Sequence, residues 1–174
     1  SGLFQRTDYD TVRAFFQAHP ELKPSPLRRL PGLAADVGLG DILLKDESER
    51  FGLSAFKVVG VTYAFNQLFS DGRLRQNQAV ICASSGNHGR AVARVAHERG
   101  RTAKVYVPRG TVIEKVEAIA NEGAEVVVGI GSETGLADIG KKEALFSKAA
   151  VLLTPLKNAN LERSSTESSS TKNT

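Results

Sequence analysis

Lys57 is the first candidate for chemistry in this sequence. It lies in an apolar run (AFKVV), and no other lysine occurs between Lys45 and Lys104. An ammonium group in apolar surroundings is costly unless its charge is lost or its amine is used. Two interpretations remain open from this residue alone. Lys57 either begins a helix and extends its amine to solvent, or it supplies a nucleophilic amine that binds a carbonyl compound covalently.

The segment SSGNHG at residues 84–89 is the second candidate, because it joins an apolar run to an amphipathic one. Its two glycines allow the backbone to approach a ligand, and a following helix would offer free N–H groups and a partial positive charge. These features predict an anion site for a carboxylate or phosphate. The alternative is a polar turn that only caps the helix. We interpret His88 as a capping and packing residue rather than a general base.

Three other patterns are weaker. The glycine-rich segment at residues 129–135 (GIGSETG) is one residue off the dinucleotide-binding spacing, so we interpret it as a linker. Asp46 and Glu47 are adjacent and would point to opposite faces of a continued strand, which favours solvated or structural roles over a paired-carboxylate site. With three histidines, one cysteine and no paired ligand spacing, the sequence predicts no dedicated metal site.

Composition limits the class of protein. The 174 residues suit one domain, and the net charge of +4 is dispersed, which argues against a nucleic-acid-binding surface. No apolar run approaches the ~20 residues of a membrane span, and no signal-peptide pattern is present. The single cysteine, Cys82, favours a reducing compartment, so we predict a cytoplasmic protein. A chain without methionine is expected to be processed or to belong to a longer chain.

The elements that would position these residues follow from apolar periodicity. Thr7 is the expected cap of the first helix, and residues 111–114 (TVIE) form an expected capping box. The proline-rich segment 20–31 is expected to contain only short turns. On the helix that follows residues 84–89, Arg90, Arg94 and Glu98 are expected to face outward. The predicted helices cover 7–19, 58–69, 88–99, 111–120 and 135–145, and the predicted strands cover 41–45, 79–83, 103–107, 124–128 and 149–153.

This alternation of strands and helices predicts an α/β fold, an open and mostly parallel sheet in a three-layer αβα arrangement. Ligands of such sheets bind at the carboxyl ends of strands, beside helix N-termini. The segment 84–89 occupies that position.

The same residues carry a resemblance. KDES at 45–48, RFGLSAFK at 50–57 and SSGNHG at 84–89, together with PSPL at 24–27 and VPRG at 107–110, resemble the fold type II, tryptophan synthase beta-like pyridoxal-phosphate enzymes. Within that superfamily they are most similar to the diaminopropionate ammonia-lyase family. Serine and threonine dehydratases share a looser version of the pattern.

The resemblance implies a cofactor, pyridoxal 5'-phosphate, and a set of roles. Lys57 would hold the cofactor through its amine and later move the substrate's alpha proton, and Asn87 would hydrogen-bond the cofactor's ring oxygen. The implied reaction is α,β-elimination of a small amino acid, 2,3-diaminopropionate, to pyruvate and ammonia. The alternatives are an L-serine or L-threonine dehydratase and a non-catalytic remnant that binds an anion or a partner. The substrate carboxylate would be bound by Ser84, Ser85, Gly86, Asn87 and His88.

Two departures from the family pattern shape these expectations. The ammonia-lyases carry an aspartate where this chain has Ser85, which implies that Ser85 occupies a catalytic position and that the chemistry is restricted to L-amino acids. The family pattern also continues with a phosphate-binding loop that we do not find after Gly129, so a fragment with reduced or no activity is expected, from a parent that could form a homodimer. The expected units are residues 1–35 on the large-domain side, a small domain at 36–129, a divergent segment at 130–163 and a disordered tail at 164–174.

Overall fold

The computed structural model describes residues 5–129 and 150–152 of the chain. A short 3-10 turn at Arg50–Gly52 precedes the third helix. The helices are α1 (Arg6–Ala18), α2 (Pro31–Asp36), α3 (Lys57–Ser70), α4 (Asn87–Glu98) and α5 (Ile113–Ala120), and the strands are β1 (Leu27–Arg29), β2 (Leu43–Lys45), β3 (Ala79–Ala83), β4 (Ala103–Pro108), β5 (Ala124–Gly129) and β6 (Ala150–Leu152).

Four of the strands form a parallel sheet in the order β5-β4-β3-β6. β4 pairs with β3 on one side and with β5 on the other, and β6 pairs with the free edge of β3, with Ala79 opposite Ala150. The chain therefore extends the sheet in one direction from β3 to β5 and then returns to the opposite side. The α/β fold class predicted from the alternation is confirmed, as are the strands predicted at 79–83, 103–107, 124–128 and 149–153 within one or two residues.

The core lies between the sheet and helices α3, α4 and α5. α4 packs against β3 and β4 and also contacts α3 and α5. Its predicted inward residues, Ala91, Val92, Val95 and Ala96, are all buried. Phe65 of α3 is fully buried in the same cluster. The apolar stripe at intervals of three and four residues is what directs one side of each helix to the sheet.

The prediction that the first strand is buried was wrong. We expected a buried strand at 41–45, but Leu43 and Leu44 are 56% and 47% exposed, and β2 pairs antiparallel with β1 in a separate two-stranded ribbon. A short apolar run indicates a strand but does not reveal which sheet will receive it. Only the position of the partner strand settles that.

Details at several helix ends also differ from prediction. The proline-rich segment holds β1 and α2 rather than turns alone, because Pro31 occupies the first position of α2, where its fixed φ favours a helix. α1 begins one residue before Thr7, and the backbone N–H of Gln5 donates to Asp8 instead. The Thr111 hydroxyl donates to the carbonyl of Pro108, so the predicted capping box is absent.

The predicted helix at 135–145, the glycine-rich segment beyond Gly129 and the tail at 164–174 lie outside the described residues. Among the residues that the structure describes, no helix combines the length and the apolar character needed to cross a membrane.

Candidate functional site

The segment 84–89 lies at the point where the strand order of the parallel sheet reverses. It follows the carboxyl end of β3, and the chain places β4 on one side of β3 and β6 on the other. Adjacent loops diverge at such a point and leave a crevice, which is where open α/β sheets bind ligands. The topology therefore supports the sequence-based choice of this loop.

Packing fixes the shape of this loop. A Cβ atom on Gly89 would lie 2.5 Å from the Ser84 carbonyl oxygen and 3.1 Å from a methyl carbon of Val105. Gly89 is thus required for close packing of α4 on the sheet, whereas we had predicted that it would admit a ligand. Gly86 has open space around its Cα, so the expected approach of a ligand to the backbone remains possible there.

α4 begins at Asn87, within the segment 84–89. Gly86 is the N-cap residue and has no side-chain oxygen to accept hydrogen bonds from the amides of the first turn. The first N–H groups of a helix lack intrahelical acceptors, and the helix dipole adds a partial positive charge. A carboxylate or phosphate group would accept hydrogen bonds from these N–H groups and would be attracted by the partial positive charge.

A cavity of about 230 Å³ opens at this helix end. Arg90 and Lys115 are the cationic residues of its lining and Glu114 is the anionic one, and Arg90 also pairs with Glu122. Sites for drug-sized ligands occupy ~300–1,000 Å³, so this cavity suits a small anionic group better than a large molecule. It is lined by Ser85, Gly86, Asn87, Arg90, Glu114, Lys115, Ala118 and Ile119.

Lys57 is the first residue of α3 and its side chain is exposed. The ammonium nitrogen lies 4.9 Å from the centroid of the Phe56 ring, which is within the range of a cation–π contact. The prediction that Lys57 begins a helix is confirmed. An exposed amine at a helix start is accessible to a carbonyl compound.

The structure brings together three of the predicted loop residues. Ser85, Gly86 and Asn87 line the cavity; Ser84, His88 and Lys57 are not among the described residues that do. Ser84 is 7% exposed, and its hydroxyl accepts a 3.4 Å hydrogen bond from the N–H of Gly86. Ser84 therefore shapes the turn. Arg90 and Lys115 were missed because each reads as an ordinary charged residue on a helix surface.

Asp46 and Glu47 stabilise the chain around the ribbon. The Asp46 carboxylate accepts hydrogen bonds from the Ser48 hydroxyl and from Nε of Arg28, both at 2.5 Å. The Ser48 hydroxyl, and after it Arg28, lower the pKa of Asp46 from 3.8 to about 2. Glu47 accepts from the Ser25 hydroxyl and pairs with Arg50 at 3.3 Å. Of the two roles that the sequence favoured, solvated or structural, these contacts agree with the structural one.

A buried ion-pair cluster was not predicted. Arg90 and Arg94, which we expected to face outward, both pair with Glu122, at 2.7 Å and 2.5 Å, and the Glu122 side chain is 6% exposed. Glu122 lies in the segment NEG at residues 121–123, which the sequence identified only as a helix stop. No local signal distinguishes it from a solvated glutamate.

The fold and the loop geometry define a class of protein, and comparison with known families gives the same class. The family described as "Pyridoxal-phosphate dependent enzyme" matches residues 19–162. The chain therefore belongs to the family of pyridoxal-phosphate dependent enzymes. Its cofactor is the one that the sequence motifs predicted, and the match continues to residue 162, well past the last of those motifs at 107–110.

Individual relatives refine this assignment. The chain is similar to diaminopropionate ammonia-lyase of Escherichia coli (strain K12), with 37% identity over 143 residues that cover 74% of this chain and 36% of the relative. It is also similar to the biosynthetic L-threonine dehydratase of Corynebacterium glutamicum, with 30% identity covering 72% of this chain and 27% of the relative. The chain thus spans about a third of the length of the first relative and about a quarter of the length of the second.

The structure of E. coli diaminopropionate ammonia lyase in complex with an aminoacrylate-PLP azomethine reaction intermediate matches this chain with a TM-score of 0.76 and 34% identity. The match covers 88% of this chain and 42% of that one. The fold type II architecture expected from the motifs is confirmed.

Proposed function

We propose that this chain carries the cofactor lysine and the carboxylate-binding loop of a pyridoxal-phosphate-dependent ammonia-lyase that acts on 2,3-diaminopropionate. The observation that supports it most is the cavity at the N-terminus of α4, where Ser85 and Asn87 lie beside two cationic side chains. The donor set fits an amino-acid carboxylate. The exposed amine of Lys57 fits a carbonyl-bearing cofactor.

In the proposed reaction, each residue has a defined task. The Lys57 amine would hold the cofactor and would later accept the proton from the alpha carbon of the substrate. The amides at the start of α4 and the Ser85 and Asn87 side chains orient the substrate carboxylate. The bound cofactor supplies an electron sink for the negative charge that develops at the alpha carbon.

The overall reaction balances as the loss of the beta-amino group and the alpha proton, followed by hydrolysis. One diaminopropionate and one water give one pyruvate and two ammonia molecules. Ser85 supports restriction to L-substrates, because a hydroxyl is a much weaker base than the family's aspartate for removing a proton from the opposite face of the alpha carbon.

The first test is covalent trapping. The purified protein is incubated with pyridoxal phosphate and reduced with borohydride, and the labelled lysine is identified by peptide mass spectrometry. We expect saturable labelling of Lys57 above that of Lys104 and Lys115, and its loss in Lys57→Ala with little change in stability because the side chain is exposed. Labelling spread evenly over all lysines would contradict the proposal.

A second candidate is an L-serine or L-threonine dehydratase, favoured by Ser85 and by the similarity to threonine dehydratase. The two candidates differ in the leaving group, an amine or a hydroxyl. Release of pyruvate from 2,3-diaminopropionate, compared with 2-oxo acid release from L-serine and L-threonine, distinguishes them. Preference for the hydroxy amino acids would replace the first candidate with the second.

A further inference from the structure

The turn that leads into Lys57 has a strained backbone. Phe51 and Ser54 have φ angles of 48° and 53°, and Gly52 between them has 70°. Residues with side chains rarely adopt the left-handed region, because the Cβ atom approaches the following carbonyl. Such a turn persists when the surrounding structure holds it in place.

Two arginines of α4 supply contacts that hold this turn. Nη1 of Arg94 donates to the Phe51 carbonyl and Nη1 of Arg90 donates to the Leu53 carbonyl, both at 3.4 Å. The Leu53 side chain is 2% exposed and belongs to the main core. The turn is therefore anchored to α4 through its backbone and to the core through one side chain.

Glu122 orients both guanidinium groups. It accepts from Nε and Nη2 of Arg90 at 3.1 and 2.7 Å and from Nε of Arg94 at 2.5 Å. Each arginine thus uses one nitrogen of its fork on Glu122 and another on a turn carbonyl, whereas a lysine has a single donor nitrogen and no fixed fork.

The backbone beside Glu122 is fixed against the same helix. Gly123 has a φ of 95°, and a Cβ atom there would lie 2.7 Å from Nδ1 of His97. The segment 121–123 therefore rests on α4 through Gly123 as well as through Glu122. These contacts form a continuous path from the end of α5, across α4, to the turn before Lys57.

We propose that Glu122 and Arg94 are positioning residues for Lys57: Arg94 holds the Phe51 carbonyl of the strained turn and Glu122 orients Arg94, so that together they fix where α3 begins and where the Lys57 amine lies. The proposal rests on the proposed function, since it assigns Lys57 the cofactor-binding role. Arg90 shares the arrangement but also lines the cavity, so it is not used in the test.

A purely stabilising role is the competing explanation. It accounts less well for these residues, because replacing buried ion pairs with apolar side chains of similar volume often leaves stability unchanged or higher. What apolar replacements lack are directional donors aimed at two particular carbonyls. For a substitution that keeps the charge, a positioning role predicts effects confined to the turn and to Lys57.

The test uses Arg94→Lys, which keeps the charge but removes the fork. A lysine can retain its attraction to Glu122 but lacks the second donor nitrogen that Arg94 directs to the Phe51 carbonyl. The matched control is Glu98→Gln, which removes the other partner of Arg94, 3.9 Å away and 59% exposed, and leaves Glu122 and the turn intact. Hydrogen exchange of peptides covering 51–59 and borohydride trapping of pyridoxal phosphate are measured for each variant.

We expect faster exchange in 51–59 for Arg94→Lys, no change in β3 and β4, and a fall of about tenfold in labelling of Lys57 relative to Lys115. Glu98→Gln should match the natural sequence in both measurements. Unchanged exchange and labelling in Arg94→Lys would overturn the proposal, and so would exchange that rises equally throughout the chain. If the natural sequence is not labelled at Lys57, the proposed function fails, while the exchange of 51–59 still decides whether Arg94 holds the turn.

Discussion

The parallel sheet and the antiparallel ribbon are stabilised in different ways. In the sheet region, Phe65, Val92 and Val105 are fully buried, and the helices close over the strands. In the ribbon, all residues of β1 and β2 are exposed, and ion pairs such as Arg28–Asp46 and Arg29–Asp41 connect or flank the strands. Burial of apolar surface contributes far more free energy than exposed ion pairs.

The difference separates the two halves of the candidate site. The loop at 84–89 is shaped by close packing against the sheet, so its amides are placed by the core. Lys57 follows a turn that is held largely by polar contacts to backbone carbonyls. Perturbing the core should therefore unfold the protein, and perturbing the polar contacts should move Lys57 while the sheet persists.

The largest effect is expected from Phe65→Ala. Truncating a fully buried phenylalanine should lower the free energy of unfolding by about 4 kcal/mol, because it removes apolar contacts and leaves a cavity. Leu44→Ala in the ribbon is the matched control and should cost less than about 1 kcal/mol, since Leu44 is 47% exposed. Urea denaturation followed by circular dichroism measures both, and equal losses would refute the division between the two regions.

Gly89→Ala comes next. Its methyl group would overlap the Ser84 carbonyl, and the backbone cannot move aside as a flexible side chain could, so we expect a loss of about 3 kcal/mol. Gly86→Ala adds the same group three residues earlier in open space and should cost about 1 kcal/mol or less. Similar denaturation midpoints for the two variants would mean that Gly89 is not a packing requirement.

Glu122→Ala should lower the free energy of unfolding by about 2 kcal/mol. It leaves two guanidinium groups without their shared partner, and their 30% exposure allows water to compensate in part. Asp71→Ala removes an exposed ion pair with Arg73 and should change stability by less than about 0.5 kcal/mol. If Glu122→Ala lowers the free energy of unfolding no more than Asp71→Ala does, the cluster contributes no more than a surface pair.

The smallest effect concerns pH. Because the pKa of Asp46 is lowered from 3.8 to about 2 in the folded protein, its contribution to stability is present above about pH 3.8 and is lost as the pH falls through about 2. Titration of the Asp46 carboxyl by nuclear magnetic resonance should show this midpoint. Ser48→Ala should raise it more than Arg28→Gln, because the Ser48 hydroxyl contributes most, and the reverse order would contradict this assignment.

The sheet was predictable because each of its elements carries a local signal. The run AVICA at 79–83 is short and apolar throughout, as a buried strand should be. The apolar stripe of α4 identified the buried side of that helix. The ribbon was not predictable in the same way, since LLK at 43–45 has no local mark of an antiparallel partner in the proline-rich segment. Pairing between distant segments depends on contacts that periodicity does not record.

The candidate site likewise has residues that the sequence could identify and residues that it could not. The sequence identified Ser85, Gly86 and Asn87, which line the cavity, because glycines and short polar residues between a strand and a helix have a direct physical meaning. It missed Lys115, which comes from α5, and Glu122, which comes from the loop after it. Both depend on how α5 packs beside α4, which no motif in the sequence specifies.

The pairing of β6 with β3 has a consequence for the order of folding. During synthesis, β3, β4 and β5 can associate as soon as residue 129 is available, but the other edge of β3 meets β6 only after Ala150 has been made. Closing so long a loop is slow, and an unpaired strand edge can recruit other chains in the meantime. The late strand that creates the ligand crevice therefore also covers the edge of β3 that the earlier strands leave unpaired.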